Sequence, residues 1–159
     1  MHIFLNKNFG KNEIFFLLSC FLIIFLQSFY LREIFYDADV AGYAYNTIEI
    51  INGRGWYAST WNNKPPGINL IFILVFSLFG KSFLSIQIAV LLANLLSAFL
   101  MYLIGKFLLE EEIRLSFLLP ILYALFCVSP AIGGHTGNCE VFLAVFEIAG
   151  ILFLICRIL

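Results

Sequence analysis

The sequence predicts an all-α, polytopic membrane protein with about four spanning helices and further juxtamembrane helices in its first external loop. Two observations carry this. Of the 159 residues 62% are hydrophobic and only 12% charged, too little polar surface to cover a soluble globule of this size. The apolar residues are also gathered into blocks. Several approach the roughly twenty residues that a helix rising about 1.5 Å per residue needs to cross about 30 Å of hydrocarbon. A net charge of −1 excludes nucleic acid as a partner.

Taken in order, Ile14 to Leu26 holds eleven Phe, Ile or Leu residues. At about −0.3 to −0.6 kcal/mol each they outweigh one mid-helix charge of about +3 kcal/mol, so the segment inserts. Lys7 and Lys11 precede it like a signal-peptide n-region, but the apolar run continues through bulky residues to Tyr30 without a small-residue cleavage site. An uncleaved signal anchor is predicted. Ile68 to Phe79 is short: counted from Pro66 to Gly80 it reaches only about 22 Å, which suits a half-embedded helix. Phe83 to Gly105 spans easily, and Leu115 to Ile132 is adequate, with Pro120 a predicted kink and Pro130 near its exit. Val141 to Ile155 completes a span with its flanks from Asn138 to Arg157. Cys20, Cys127 and Cys156 fall in or at the ends of apolar runs, and Cys139 stands beside a polar loop. No zinc spacing or disulfide framework is visible, so they read as small buried hydrophobes.

Charge counting sets the orientation. With a cytoplasmic N-terminus and a short block that does not cross, Lys7, Lys11, Lys106, Arg114 and Arg157 face inward, and Arg32, Arg54, Lys64 and Lys81 face outward. If the block crosses, only Lys7, Lys11 and Lys81 stay inside. The positive-inside rule favours the first arrangement. It makes residues 31–82 and 129–138 external loops and Leu108 to Leu115 a cytoplasmic turn. In the first loop Val40, Tyr43, Ala44, Thr47, Ile48 and Ile51 recur at helical spacing, which predicts an amphipathic helix along the membrane surface. Asp37 or Asp39 suits its start, Gly53 or Gly55 its end. Trp56, Tyr57 and Trp61 suit the headgroup level, and Pro65 and Pro66 suit the opening of the next helix.

Few polar residues could carry chemistry. Asp37 and Asp39 are two apart, so in an extended segment both side chains point one way. Such a pair can grip a divalent cation, accept hydrogen bonds from a sugar, or deprotonate a hydroxyl; equally, one caps a helix and the other is solvated. The sequence allows a metal at this pair and does not require one. Lys64, before Pro65-Pro66-Gly67, offers a fixed cation suited to a phosphate, or is an interfacial lysine at a turn. Glu140 stands at the mouth of the last helix, as a site acid or as a helix-start acid. Glu147 lies seven residues on, within the apolar run, where a carboxylate should face protein or water; it either pairs with a polar neighbour such as Asn94 or Gln87 in another helix or has a functional role. His135 is a loop histidine, a residue type that serves as ligand or acid-base group but more often as neither.

The segments Phe35-Tyr36-Asp37-Ala38-Asp39, Trp61-Asn62-Asn63-Lys64-Pro65-Pro66-Gly67, Leu78-Phe79-Gly80 and Gly137-Asn138-Cys139-Glu140-Val141-Phe142 together resemble the N-terminal part of membrane glycosyltransferases of the family 39 type. These include protein O-mannosyltransferases and lipid A aminoarabinose transferases, in the superfamily that uses polyprenyl-phosphate donors. The resemblance runs from about Ile14 to Arg157. It implies an external active site in which a sugar leaves a polyprenyl-phosphate carrier for a lipid, glycan or protein acceptor, in a plasma membrane of the bacterial inner-membrane kind. Asp37 matches the family's first-loop acid, which binds and activates the acceptor, and Glu140 matches its acid in the second external loop; these two are the expected catalytic residues. Lys64 matches the lysine before the double proline, near the donor phosphate. Asp39 matches the second acidic position loosely, because many members have Asp-Glu where this chain has Asp37-Ala38-Asp39. Asp39, Lys64, Tyr43 and His135 are the expected donor- and acceptor-binding residues. Members are several times longer, so residues 1–159 read as a single N-terminal transmembrane portion. The alternative is a small non-catalytic membrane protein, or an inactive gene fragment, whose helices assemble with others.

Overall fold

The computed structural model describes residues 9–31, 37–56, 58, 64–108, 118–129 and 131–158, with side chains from Ile14 onward. Among these residues every regular element is helical, as the all-α expectation requires. The elements are α1 (Phe9–Ser28), α2 (Ala38–Ile51), α3 (Gly67–Phe79), α4 (Phe83–Leu108), α5 (Leu118–Cys127) and α6 (Cys139–Ile158). Phe35, Tyr36, Tyr57, the stretch Trp61-Asn62-Asn63 and the expected turn at Glu110, Glu111, Glu112 and Arg114 lie outside the described residues. Helices α4 and α6 are long and apolar enough to cross a membrane. The described apolar stretches Ile14–Ser28, Gly67–Phe79 and Leu118–Cys127 are shorter.

Burial follows the logic of a membrane protein. Helix α1 turns Ser19, Ile23 and Gln27, one every fourth residue, into the protein and leaves Leu17, Phe21 and Phe25 outside. Helix α4 buries Ser85, Gln87, Asn94 and Ser97 while Leu84, Leu92, Leu96 and Phe99 face outward. In water this inversion would expose the wrong surface; in lipid it is favoured, because polar groups must find partners inside the protein. Ser85, Ala89, Ala93 and Ser97 form a buried small-residue stripe on α4, so neighbouring helices can approach closely. Accordingly α4 is the hub, packed against α1, α3, α5 and α6.

Two cores result. One joins Val40 and Tyr43 of α2, Phe72 and Phe76 of α3, Ile86 and Val90 of α4, and Val141 and Phe142 of α6. The other joins Ile23, Ala98, Ala124 and Cys127 from α1, α4 and α5. An amide network ties the second core to the loop before α6. Asn94 Nδ2 donates to Gln27 Oε1 at 3.2 Å and to the Gly134 carbonyl at 2.9 Å. Tyr123 donates its hydroxyl to Asn94 Oδ1 at 3.0 Å. Gln27 Nε2 donates to Gln87 Oε1 at 3.2 Å and reaches the His135 carbonyl at 3.5 Å.

Several expectations change in three dimensions. Val40, Tyr43 and Thr47 of α2 are buried by protein, whereas Ile51 is exposed. The amphipathic face therefore docks on α3 rather than lying on lipid, because Phe72 and Ile68 of α3 offer it an apolar partner. Asn52 and Gly53 end α2: Gly53 adopts φ +87°, and its N–H and that of Arg54 return to the Ile50 and Glu49 carbonyls, the double closure of a Schellman turn. Helix α5 stops at Cys127, five residues before the end of its apolar block, and Pro120 lies in the first turn of its described part. The chain leaves the helix there because the loop folds back against it: a Cβ on Gly134 would sit 1.9 Å from the Cys127 carbonyl oxygen. Glu147 is exposed on the outer face of α6, and Asn94 and Gln87 are instead engaged with Gln27.

Gly134→Ala should destabilise the fold by about 2–3 kcal/mol, since a backbone carbonyl has no room to yield. Gly42→Ala, with nothing within 4 Å of its Cβ, should gain up to about 1 kcal/mol from helix propensity. Denaturant titration of both variants in bicelles, followed by circular dichroism, measures the difference.

Candidate functional site

Three helix starts converge at one end of the first core. Asp37 precedes α2 with extended backbone, φ −104° and ψ 105°. Its Oδ1 accepts the Asp39 N–H at 3.0 Å, which caps the helix, and its carbonyl accepts the Ala41 N–H at 3.2 Å. Its second oxygen, Oδ2, accepts a short hydrogen bond from Asn138 Nδ2, 101 residues away at the start of α6. Asp37 thus caps a helix and joins a tertiary site; the two readings are not exclusive.

Lys64 approaches the site from α3. Pro66 caps that helix without a side-chain hydrogen bond, so its first N–H groups are left for another acceptor. Lys64 Nζ stands 3.7 Å from Glu140 Oε1 in the first turn of α6, with the glutamate two-thirds exposed. A contact so long and so wet is worth about 1 kcal/mol or less.

Beneath these charges lies Tyr43, 2% exposed, its ring edge-on to Phe72 at 6.5 Å. Burial raises its hydroxyl pKa most, and the neighbouring Cys139, Asp39 and Glu140 raise it further. Tyr43 therefore stays a neutral hydroxyl at any physiological pH, supporting the site from below. Cys139 lies beside both Tyr43 and Glu140.

The expected residues thus divide. Asp37, Lys64, Glu140 and Tyr43 gather around the starts of α2, α3 and α6. Asp39 is exposed and sits in the first turn of α2, so Asp37 and Asp39 do not form the extended pair that their spacing suggested. Among the described residues no group of three or more His, Cys, Asp or Glu is placed to hold a metal ion. His135 stacks on Tyr30 with ring centroids 4.1 Å apart and gives its carbonyl to Gln27. Sequence reading missed Asn138. An Asn before an apolar helix signals a cap, and nothing local tells that its amide turns to an acid a hundred residues earlier.

The glycine before it explains how that approach is achieved. A Cβ on Gly137 would come within 2.6 Å of Ile86 Cγ2 and 3.0 Å of Val40 Cγ1. Only the bare backbone can pass between α2 and α4 there, and passing there delivers Asn138 to Asp37.

The profile described as dolichyl-phosphate-mannose-protein mannosyltransferase matches residues 63–158, from the Lys64 turn through Glu140 to the end of α6; Asp37 and Asp39 precede the matched stretch. No curated protein and no solved structure matches the chain. The chain is a membrane protein carrying a glycosyltransferase signature over more than half its length, and it belongs to the dolichyl-phosphate-mannose-protein mannosyltransferase family.

Proposed function

We propose that the convergent starts of α2, α3 and α6 form part of an extracytoplasmic site at which a sugar passes from a polyprenyl phosphate to a hydroxyl acceptor. The observation that carries this reading is the Asp37 carboxylate held at the mouth of α6 by Asn138, beside the Lys64 and Glu140 pair. An acid fixed by two hydrogen bonds keeps one orientation, which a general base needs.

In the reaction the acceptor oxygen attacks the anomeric carbon, and its proton passes to the Asp37 carboxylate. The bond from the anomeric carbon to the phosphate oxygen breaks, and the polyprenyl phosphate leaves with the electron pair. In-line attack inverts the anomeric configuration. Lys64 exchanges its weak contact with Glu140 for the leaving phosphate, and the uncapped start of α3 adds a positive helix end. Glu140, released, is free to accept a hydrogen bond from the acceptor or the sugar. Asp39, exposed in the first turn of α2, and His135, packed on Tyr30, are further contacts for the substrates in this reading.

The four-span topology belongs to the same proposal: N-terminus in the cytoplasm, α3 half-embedded, residues 31–82 and 129–138 outside. It follows from the positive-inside rule and puts Asp37, Lys64 and Glu140 in one compartment.

Asp37→Asn should lower the transfer rate from a radiolabelled polyprenyl-phosphate sugar by about 10²–10⁴, and an unchanged rate removes Asp37 from the role of base. Asn138→Ala should lower kcat by about tenfold, the value of one lost positioning hydrogen bond, with the donor KM unaltered. Lys64→Ala should instead raise the donor KM. For topology, single cysteines at Lys81 and Ile132 in a cysteine-free background should react with an impermeant maleimide on intact cells, and one at Leu109 should not; labelling at Leu109 reverses the orientation.

A further inference from the structure

Helix α6 carries one carboxylate that the rest of the described protein leaves alone. Glu147 lies eight residues, or about 12 Å, from the start of α6 and eleven residues, or about 16 Å, from its end. It is exposed, and among the described residues no hydrogen bond or ion pair reaches it. Where α6 crosses the bilayer over its whole length, a glutamate side chain at that position is too short to reach either interface. Around it Leu143, Phe146, Ile151 and Leu154 are each at least half exposed. Gly150, one turn away on the same stripe, has nothing within 4 Å of its Cβ position.

We infer that the stripe Leu143, Glu147, Gly150 and Leu154 is the docking face for a transmembrane helix that carries a Lys or Arg at mid-bilayer depth. Charge complementarity identifies the occupant. An ionised carboxylate open to hydrocarbon is costly and is relieved by a paired cation, while Gly150 lets a second helix backbone come close enough for the pair to form. Among the described residues a second copy of the chain supplies no cation at the middle of a helix. Lys106 and Arg157 sit in the last turns of α4 and α6, over the rings of Tyr102 at 5.6 Å and Phe153 at 5.4 Å. A two-fold copy would also set Glu147 against Glu147. This face lies on the opposite flank of α6 from Val141 and Phe142, which are buried in the first core, and it does not depend on the sugar-transfer reading.

The test uses the full chain, labelled with a donor fluorophore, in phosphatidylcholine vesicles with acceptor-labelled synthetic 22-residue Leu/Ala helices. Energy transfer should show a helix with one central Arg associating at least tenfold more tightly than an all-apolar one. A helix whose Arg is moved two turns off centre should behave like the apolar helix. Glu147→Leu should abolish the preference, and Glu147→Lys should transfer it to a helix with a central Glu. Equal association of the Arg and apolar helices with the wild-type chain, or a preference that survives Glu147→Leu, overturns the proposal. Self-association of the chain that exceeds Arg-helix binding and is lost in Glu147→Leu overturns it in favour of a homo-oligomer. Far-ultraviolet circular dichroism of each variant confirms that its helices are retained.

Discussion

The passage of the Gly133 to Asn138 loop through the protein is the constraint on which the site depends. A loop buried among helices must satisfy its carbonyls within the protein, and Asn94 and Gln27 do so for Gly134 and His135. It must also occupy almost no volume, because Cys127, Ile86 and Val40 crowd it. The two demands are met together: amides from α1 and α4 hold the backbone, and glycines at 134 and 137 leave it room. Where the loop emerges, the start of α6 and the side chains of Asn138 and Glu140 have their positions set.

The polar network costs little in this setting. Each amide in it would need a partner wherever it stood in hydrocarbon, so pairing amides across helices adds modestly to stability while fixing which helices are neighbours. Asn94 touches α1, α5 and the loop at once. That makes α4 a register mark as well as a hub, and the small-residue stripe below it lets α3 and α6 close the first core around Phe72 and Phe142.

At the open end the electrostatics have a different character. Asp37 is held on both oxygens, while Lys64 and Glu140 meet through a long, wet contact. In the proposed sugar transfer a fixed acid beside an exposed ion pair would divide the labour: the first would keep one geometry for proton transfer, and the second would rearrange around the phosphate. Tyr43, neutral and buried under both, separates this charged end from the apolar core.

Composition and block lengths were sufficient for the all-α membrane class, since those follow from transfer free energy alone and need no knowledge of neighbours. Capping chemistry was legible as well: Asp37, Gly53 and Pro66 act within one helical turn of their own position, and local spacing governs them. Tertiary structure alone decided which face of α2 is covered, where α5 ends, and that Asn138 reaches Asp37. It also decided that Asn94 and Gln87 belong to Gln27, leaving Glu147 outside. Each of those outcomes depends on two segments far apart in the chain competing for the same space or the same hydrogen bond, and a linear pattern holds no record of that competition.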